Sequence, residues 1–452
     1  MQQYAIQPTI GRTTVYAGEY ALLDSDVYKG GGTNQTDVLQ AILDKALDWG
    51  SLHLIMDGAA LVDGLKVYAN TTIECVNPAC GFFLDNNCNE ALLRNAHLDF
   101  DNIQDRNITL IGGTYNHNFQ NQAHHLNEED WVMCIQFYGV ENLILRGITV
   151  RNQSSFGIHV ANWKHVLMQD IVIDIPHVAF LRNQDGIHFW GPGRFLTMRN
   201  ICGTAGDDFI ALAPDERDGV SDITDVLIDG VQLDDADQGI RMLSKSRGRL
   251  DRITVRNVSG TYKSFGFFLN PWFYGTEREG GSYGNILIEN VDLRQTWRKY
   301  RHYDPFLFLI GGNYECLTLR NIAYHRANDD RQVIVIDHPY HETPPDSKAA
   351  AYVCNIQSFV LDGFSVFEDE QSSMPSFYIT VNGDVQNMWV QNVRMIRTHH
   401  RMGGRLLSIG EKGRIQNLYT TALSLGNVES GIQEKIAGDE ETTHSEEGKA
   451  IW

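Results

Sequence analysis

The chain has 452 residues, with 37 Lys+Arg against 57 Asp+Glu for a formal charge of −20, and 42% of its residues are hydrophobic. That apolar content is enough to offset ordering entropy, which excludes disorder of the whole chain. The acidic balance excludes nucleic acid as a partner, because binding there requires clustered Lys and Arg to release counterions.

The opening stretch MQQYAIQPTI has neither a basic n-region nor an apolar h-region, so no signal peptide is expected in this chain. A secreted or periplasmic mature form is slightly favoured over a cytoplasmic one. No run of about 18 apolar residues occurs, so no membrane-spanning helix is expected. Residues 33–50, TNQTDVLQAILDKALDWG, place Val38, Leu39, Ile42, Leu43, Ala46 and Leu47 at helical spacing. The pattern predicts a helix over about 36–49, opened by Thr36 and Asp37 and closed by Gly50. Such a helix would cover the unpaired edge of a stack of strands.

From residue 108 onward one phrase recurs: apolar–x–apolar–x–(Asn/Asp/Gly)–apolar. It is read in ITLIGGT, LILRGIT, VLMQDIV, FLTMRNI, VLIDGVQ, ITVRNVS, ILIENVD, LTLRNIA, FVLDGFS and MWVQNVR. Its punctuating residues are Gly113, Gly147, Asp170, Asn200, Gly230, Asn257, Asn290, Asn321, Gly363 and Asn392, about 30 residues apart. Period-2 alternation makes each phrase a strand with one inward face. The amide or glycine that ends it suits a left-handed turn. Strand-rich units of this length without helical spacing between them predict an all-β right-handed parallel β-helix of about ten or more coils. One domain over 1–432 is expected, followed by an acidic, loosely ordered tail over 433–452. The seven cysteines are scattered and form no CxxC pair, so neither a disulfide framework nor a zinc site is expected, and no metal or cofactor is assigned. A homo-oligomer is compatible with such a chain.

Three successive coils carry unusual acids: Asn183-Gln184-Asp185-Gly186-Ile187-His188, Gly206-Asp207-Asp208-Phe209-Ile210, and Asp237-Gln238-Gly239-Ile240-Arg241. Aligning their apolar alternation stacks Asp185 on Asp207, Gly186 on Asp208, and His188 on Ile210 and Arg241. Three carboxylates and a guanidinium would then converge on one patch. A lone Asp in a β-helix usually caps a turn. Adjacent carboxylates repel, so capping gives no reason to cluster them, whereas glycoside hydrolysis needs one carboxylic acid to protonate a leaving oxygen and another carboxylate to activate water.

The succession NQDG, GDD and GIR resembles the polygalacturonase-like glycoside hydrolase family 28, of the pectin-lyase-like β-helix superfamily. GGTNQTDVLQ (31–40) and NQSSFGIHV (152–160) are similar to it as well, and the likeness covers most of residues 30–330. The resemblance implies an inverting glycosidase acting on a pectic or uronate-containing carbohydrate. Asp207 would be the general acid, Asp185 and Asp208 the bases holding the attacking water, Arg241 a substrate ligand, and Asn183 a residue positioning Asp185 or a sugar hydroxyl. Two departures stand out. The family's motif lysine falls on Leu243, with Lys245 two residues beyond, and no Gly-His-Gly lies between Asp208 and Arg241. His188 is a candidate to fill part of that gap as a substrate ligand. Beyond these motifs, Trp272 and Tyr274 are candidate stacking platforms for sugar faces, with Phe268, Phe273, Trp297, Tyr300 and Tyr303 nearby in sequence. The loop 117–130, with His124 and His125, is either a cleft wall or a solvated loop, and His338, His341 and Glu342 read as a surface loop. Two other classes stay open on the same fold: a Ca-dependent polysaccharide lyase, and a non-catalytic glycan-binding or structural β-helix.

Overall fold

The computed structural model describes residues 13–122, 132–175, 183–271, 281–296, 305–326, 332–337, 354–368, 377–397, 404–426, 429–433 and 443–444. The fold is the right-handed parallel β-helix. The chain forms two compact units, Met1–Ile210 and Ala211–Trp452.

In the first unit, short strands repeat in sets. Leu52–Met56, Ala59–Val62 and Leu65–Val67 are followed in register by Thr71–Cys75, Gly81–Leu84 and Leu93–Asn95, all pairing in parallel. The longer strands Ile135–Arg146 (β1), Ile158–Asp174 (β2) and Ile187–Gly203 (β3) continue the stack. Their inward residues form columns, of which Leu54, Ile73, Leu110, Leu145, Met168 and Met198 are each 0% exposed. Each such side chain contributes about 1.5–3 kcal/mol of burial. The outward positions between them stay polar, which is the alternation seen in the sequence.

The strand Asp208–Ala213 (β4) runs across the boundary between the units. In the second unit, Ile223–Met242 (β5), Arg249–Leu269 (β6), Ser282–Gln295 (β7), Phe306–Ile310 (β8) and Asn313–His325 (β9) build two columns that later strands extend. One runs Ile228, Val255, Ile288, Leu319, Leu361, Val390. The other runs Ile240, Phe267, Phe308, Ile334, Ile379, Leu407.

The ten punctuating residues from Gly113 to Asn392 all have positive φ, between 52° and 84°. The recurring phrase therefore marks the left-handed corner of each coil, the one conformation that selects Gly, Asn or Asp over other residues. The predicted N-terminal helix is present but divided, as Thr36–Leu43 (α1) and Lys45–Trp49 (α2), with Gly50 closing it at φ 76°. Thr36 is the first helical residue rather than the cap. Asn34 Oδ1 accepts the Thr36 amide at 3.0 Å, and the Thr36 hydroxyl accepts from the Asp63 amide at 2.7 Å. Gln40 completes the covering of the strand edge. Its side-chain amide donates to the carbonyl of Lys66 at 3.1 Å and accepts from the Lys66 amide at 2.9 Å, so one side chain substitutes for a missing neighbouring strand. The predicted tail lies outside the described residues, except for Gln433 at the end of one strand and the two-residue strand Thr443–His444.

Candidate active site

Asp185 sits in the turn that leads into β3, and Asp207 and Asp208 lie where the next coil enters β4. The backbones here are close. Gly186 donates its amide to the Asp208 carbonyl at 2.9 Å, and a Cβ on Gly186 would stand 2.5 Å from the Phe209 carbonyl oxygen. At Gly206 a Cβ would meet the buried amide oxygen of Gln184 at 2.4 Å. The backbone contact makes glycine necessary at position 186, whereas at 206 a larger residue would displace the Gln184 amide.

That amide bond also sets the register. The Ile158 amide donates to the Gly186 carbonyl where Ile158 is paired with Ile187. By the same parallel-ladder rule, Gly186 is paired with Phe209. Asp185 thus stands beside Asp208, and Ile187 beside Ile210. The alignment read from the sequence, which put Asp185 on Asp207, Gly186 on Asp208 and His188 on Ile210, is one residue out.

One oxygen from each of Asp185, Asp207 and Asp208 lies within 4.8 Å of the other two. Asp185 and Asp208 are buried, at 2% and 3% exposure, and Asp207 is half-buried. Asn183, held at φ 60°, donates its backbone amide to Asp207 Oδ2 at 2.9 Å. Asn183 thus serves the acid through its main chain, and its contact is with Asp207. Three oxygens no more than 4.8 Å apart enclose a centre at most about 2.8 Å (4.8/√3) from each, which is hydrogen-bonding reach for one water molecule. The same spacing fits oxygen ligation of a small cation.

His188 lies directly behind this cluster. Its Nδ1 is 2.6 Å from Asp185 Oδ2; with Asp185 ionised, the carboxylate only accepts and the imidazole donates. Phe156 stacks on the His188 ring at 4.2 Å and 10°. His159, paired with His188 across β2 and β3, meets it edge-on at 5.5 Å. The Tyr138 hydroxyl lies 2.6 Å from His159 Nδ1, and Trp190 crosses His159 at 4.3 Å and 89°. Burial, and then the neighbouring His188, holds His159 well below the usual imidazole pKa, so it stays neutral while it shares this hydrogen bond with Tyr138. Reasoning from the acids missed this layer. Its signal was present as Gly157-Ile158-His159 and Gly186-Ile187-His188, the same tripeptide on consecutive coils.

Arg241 belongs to the second unit, where it is buried with its guanidinium carbon 4.4 Å above the Phe268 ring. Phe268 is itself buried, so it is no exposed sugar platform. Lys245 anchors a turn in the same unit: its amide donates to Asp215 Oδ1 at 2.6 Å and its Nζ to the Glu216 carbonyl at 3.2 Å. Leu243, at the position of the family's lysine, is in the core. Trp272, Phe273, Tyr274, Trp297, Tyr300, Tyr303, His124, His125, His338, His341 and Glu342 lie outside the described residues.

Residues 90–224, which contain all three acids and His188, match the family model for glycosyl hydrolases family 28. Over that segment the chain is similar to glycosyl hydrolases family 28. Solved structures share the fold. An exopolygalacturonase of Yersinia enterocolitica aligns with TM-score 0.57 and 12% identity over 88% of this chain and 78% of that one. The tailspike protein of E. coli bacteriophage HK620, in complex with a pentasaccharide, aligns with TM-score 0.57 and 8% identity over 93% and 78%. The A-module of the Azotobacter vinelandii mannuronan C-5 epimerase AlgE4 aligns with TM-score 0.52 and 12% identity over 93% and 97%. At such identities the likeness is one of fold. No curated protein matches the chain.

Proposed function

We propose that the chain is a glycoside hydrolase that cleaves a pectic or uronate-containing saccharide by acid/base catalysis. The observation that carries this reading is the convergence of Asp185, Asp207 and Asp208 within 4.8 Å, inside the segment that matches family 28. In this reading Asp207, the most exposed of the three, protonates the leaving oxygen. The Asn183 amide holds one of its oxygens. Asp185 and Asp208 hold and deprotonate the attacking water. Arg241 and Lys245 remain substrate-side cations, with Trp272 and Tyr274 as sugar platforms. Inversion follows from the family resemblance. The oxygens approach more closely than the roughly 6.5–9.5 Å of the general inverting pattern, so the anomer released must be read directly by NMR. Among the described residues no helix is long and apolar enough to cross a membrane, and a pectic substrate fits a secreted or periplasmic protein.

The test is reducing-sugar release from pectic, rhamnogalacturonan and neutral poly- and oligosaccharides by the wild type and by Asp207→Asn. Release by the wild type alone is the expected result. Because the triad also fits a cation, a Ca-dependent lyase is the second reading. EDTA-sensitive formation of an unsaturated product absorbing in the near ultraviolet would establish it, whereas saccharide binding with no turnover would mark a glycan-binding β-helix.

A further inference from the structure

We infer that His188 is a positioning residue for Asp185 and not a saccharide ligand. The inference rests on the proposed role of Asp185 as a water-holding carboxylate and names the group that makes that role possible. His188 is only 4% exposed. One face of its ring is covered by Phe156, in near-parallel contact at 10°, and the edges of His159 and Trp190 close on it at 85° and 88°. A ring enclosed in this way has almost no surface to offer a sugar. Its Nδ1 contacts Asp185 instead, at 2.6 Å.

A carboxylate that holds an attacking water must be ionised and fixed in direction. An N–H donor at this distance does both, since a charge-assisted hydrogen bond favours the charged form and pins one oxygen. The ring is itself held in place. His159 lies against it, and Tyr138 locks His159 through Nδ1, so the imidazole that orients the acid is oriented by packing on the coil below. The two Gly-Ile-His tripeptides thus have different tasks. The first supplies a neutral wall and the second supplies the donor.

The experiment compares His188→Asn, whose amide nitrogen can take the place of Nδ1, with His188→Leu, which removes the donor. Removing an outer partner of a functional group typically costs roughly 10–100-fold in activity. The expected result is a fall in kcat of that size for His188→Leu with KM within about twofold of wild type, and recovery of most of kcat in His188→Asn. A rise in KM at constant kcat, or an asparagine variant as poor as the leucine one, would overturn the assignment and return His188 to substrate binding. A second measurement needs no turnover and serves equally if the leucine variant does not fold. In ¹⁵N-histidine NMR, wild-type His188 should carry its proton on Nδ1, and Asp185→Ala should move the ring toward the other tautomer. Identical His188 spectra in the two proteins would refute the pair. If no saccharide is cleaved while the tautomer responds to Asp185→Ala, the hydrolase reading fails and the Asp185–His188 pair stands.

Discussion

Two sets of buried carboxylates serve opposite ends. In the second unit, Asp215 is fully buried and accepts backbone amides from Lys245 at 2.6 Å, Ser246 at 2.6 Å and Gly248 at 2.9 Å. Its charge is matched by the amides of a single turn, which is what an acid does when its task is to fold a loop. In the first unit, Asp185, Asp207 and Asp208 bring their oxygens within 4.8 Å of one another. Such mutual crowding works against folding, because like charges repel. Asp185 and Asp208 are buried much as Asp215 is, so burial is not informative. The informative feature is whether a carboxylate is surrounded by amides or by other carboxylates.

The comparison breaks most sharply at Asp207. Removing a general acid lowers kcat by roughly 10²–10⁴-fold, so Asp207→Asn should lose that much turnover. Its melting temperature should be unchanged, since a carboxyl group that carries its proton is already uncharged and asparagine has nearly the same shape. Paired thermal unfolding and initial-rate measurements decide the matter, and a variant that kept near-full activity would remove Asp207 from the mechanism.

The corners of the coils were legible because the left-handed conformation accepts few residue types. Gly113 through Asn392 name themselves once the repeat is noticed, and all ten are left-handed. The acids were legible because Asp207 and Asp208 are adjacent beside a glycine. Their register was not. Phe209-Ile210-Ala211-Leu212 is an unbroken apolar run with no alternation to align, and only the bond from the Gly186 amide to the Asp208 carbonyl fixes the register. The residue His188 was visible too, but not its partner. Whether an imidazole faces solvent or a neighbouring acid depends on its rotamer and on the rings packed around it, here Phe156 from one coil back.

Acid should separate the two units next. His117 is buried, with the Ser154 amide donating to its Nδ1 at 3.2 Å and its Nε2 donating to the Glu90 carbonyl at 3.1 Å. Both nitrogens are used by the neutral ring, and burial lowers its pKa to about 4. The unfolded chain takes up that proton near pH 6.5, well before the folded one. Stability linked to this group is therefore complete above pH 6.5, falls as the pH drops toward 4, and changes no further below it. The total is on the order of 3 kcal/mol. His159 is shifted in the same direction, so it adds to the slope. Denaturant unfolding at pH 7 and pH 4.5 should show His117→Gln losing less stability between the two pH values than the wild type. Hydrogen exchange at pH 4.5 should find the first unit opening before the second. Equal pH dependence in both proteins would show that His117 is not held neutral.

The Asp215 turn gives the reciprocal of the Asp207 result. Asp215→Asn replaces one acceptor oxygen by an NH₂ group facing backbone amides, and breaking charge-assisted bonds of this kind costs about 2 kcal/mol. Unfolding should show the loss in the second unit, with kcat for any saccharide within about twofold of wild type. A large fall in kcat at full stability would mean that Asp215 is more than the anchor of a turn.

The smallest effect lies on the outer surface of the second unit, where charges alternate up one column: Asp229, Arg256, Glu289, Arg320 and Asp362 are successive neighbours across the strands. Arg256 bonds Asp229 at 2.8 Å, and Arg320 lies 3.4 Å from Glu289. Here solvent matches the charges that amides match at Asp215, so removing a single pair should change little. Reversing the central sign is the more telling change. Glu289→Lys places three cations in a row, and like charges directly opposite one another destabilise a sheet by up to about 1 kcal/mol. The penalty should appear in dilute buffer and vanish in 1 M salt, where the screening length is about 3 Å. A penalty that persisted in 1 M salt would mean that Glu289 contributes packing rather than charge.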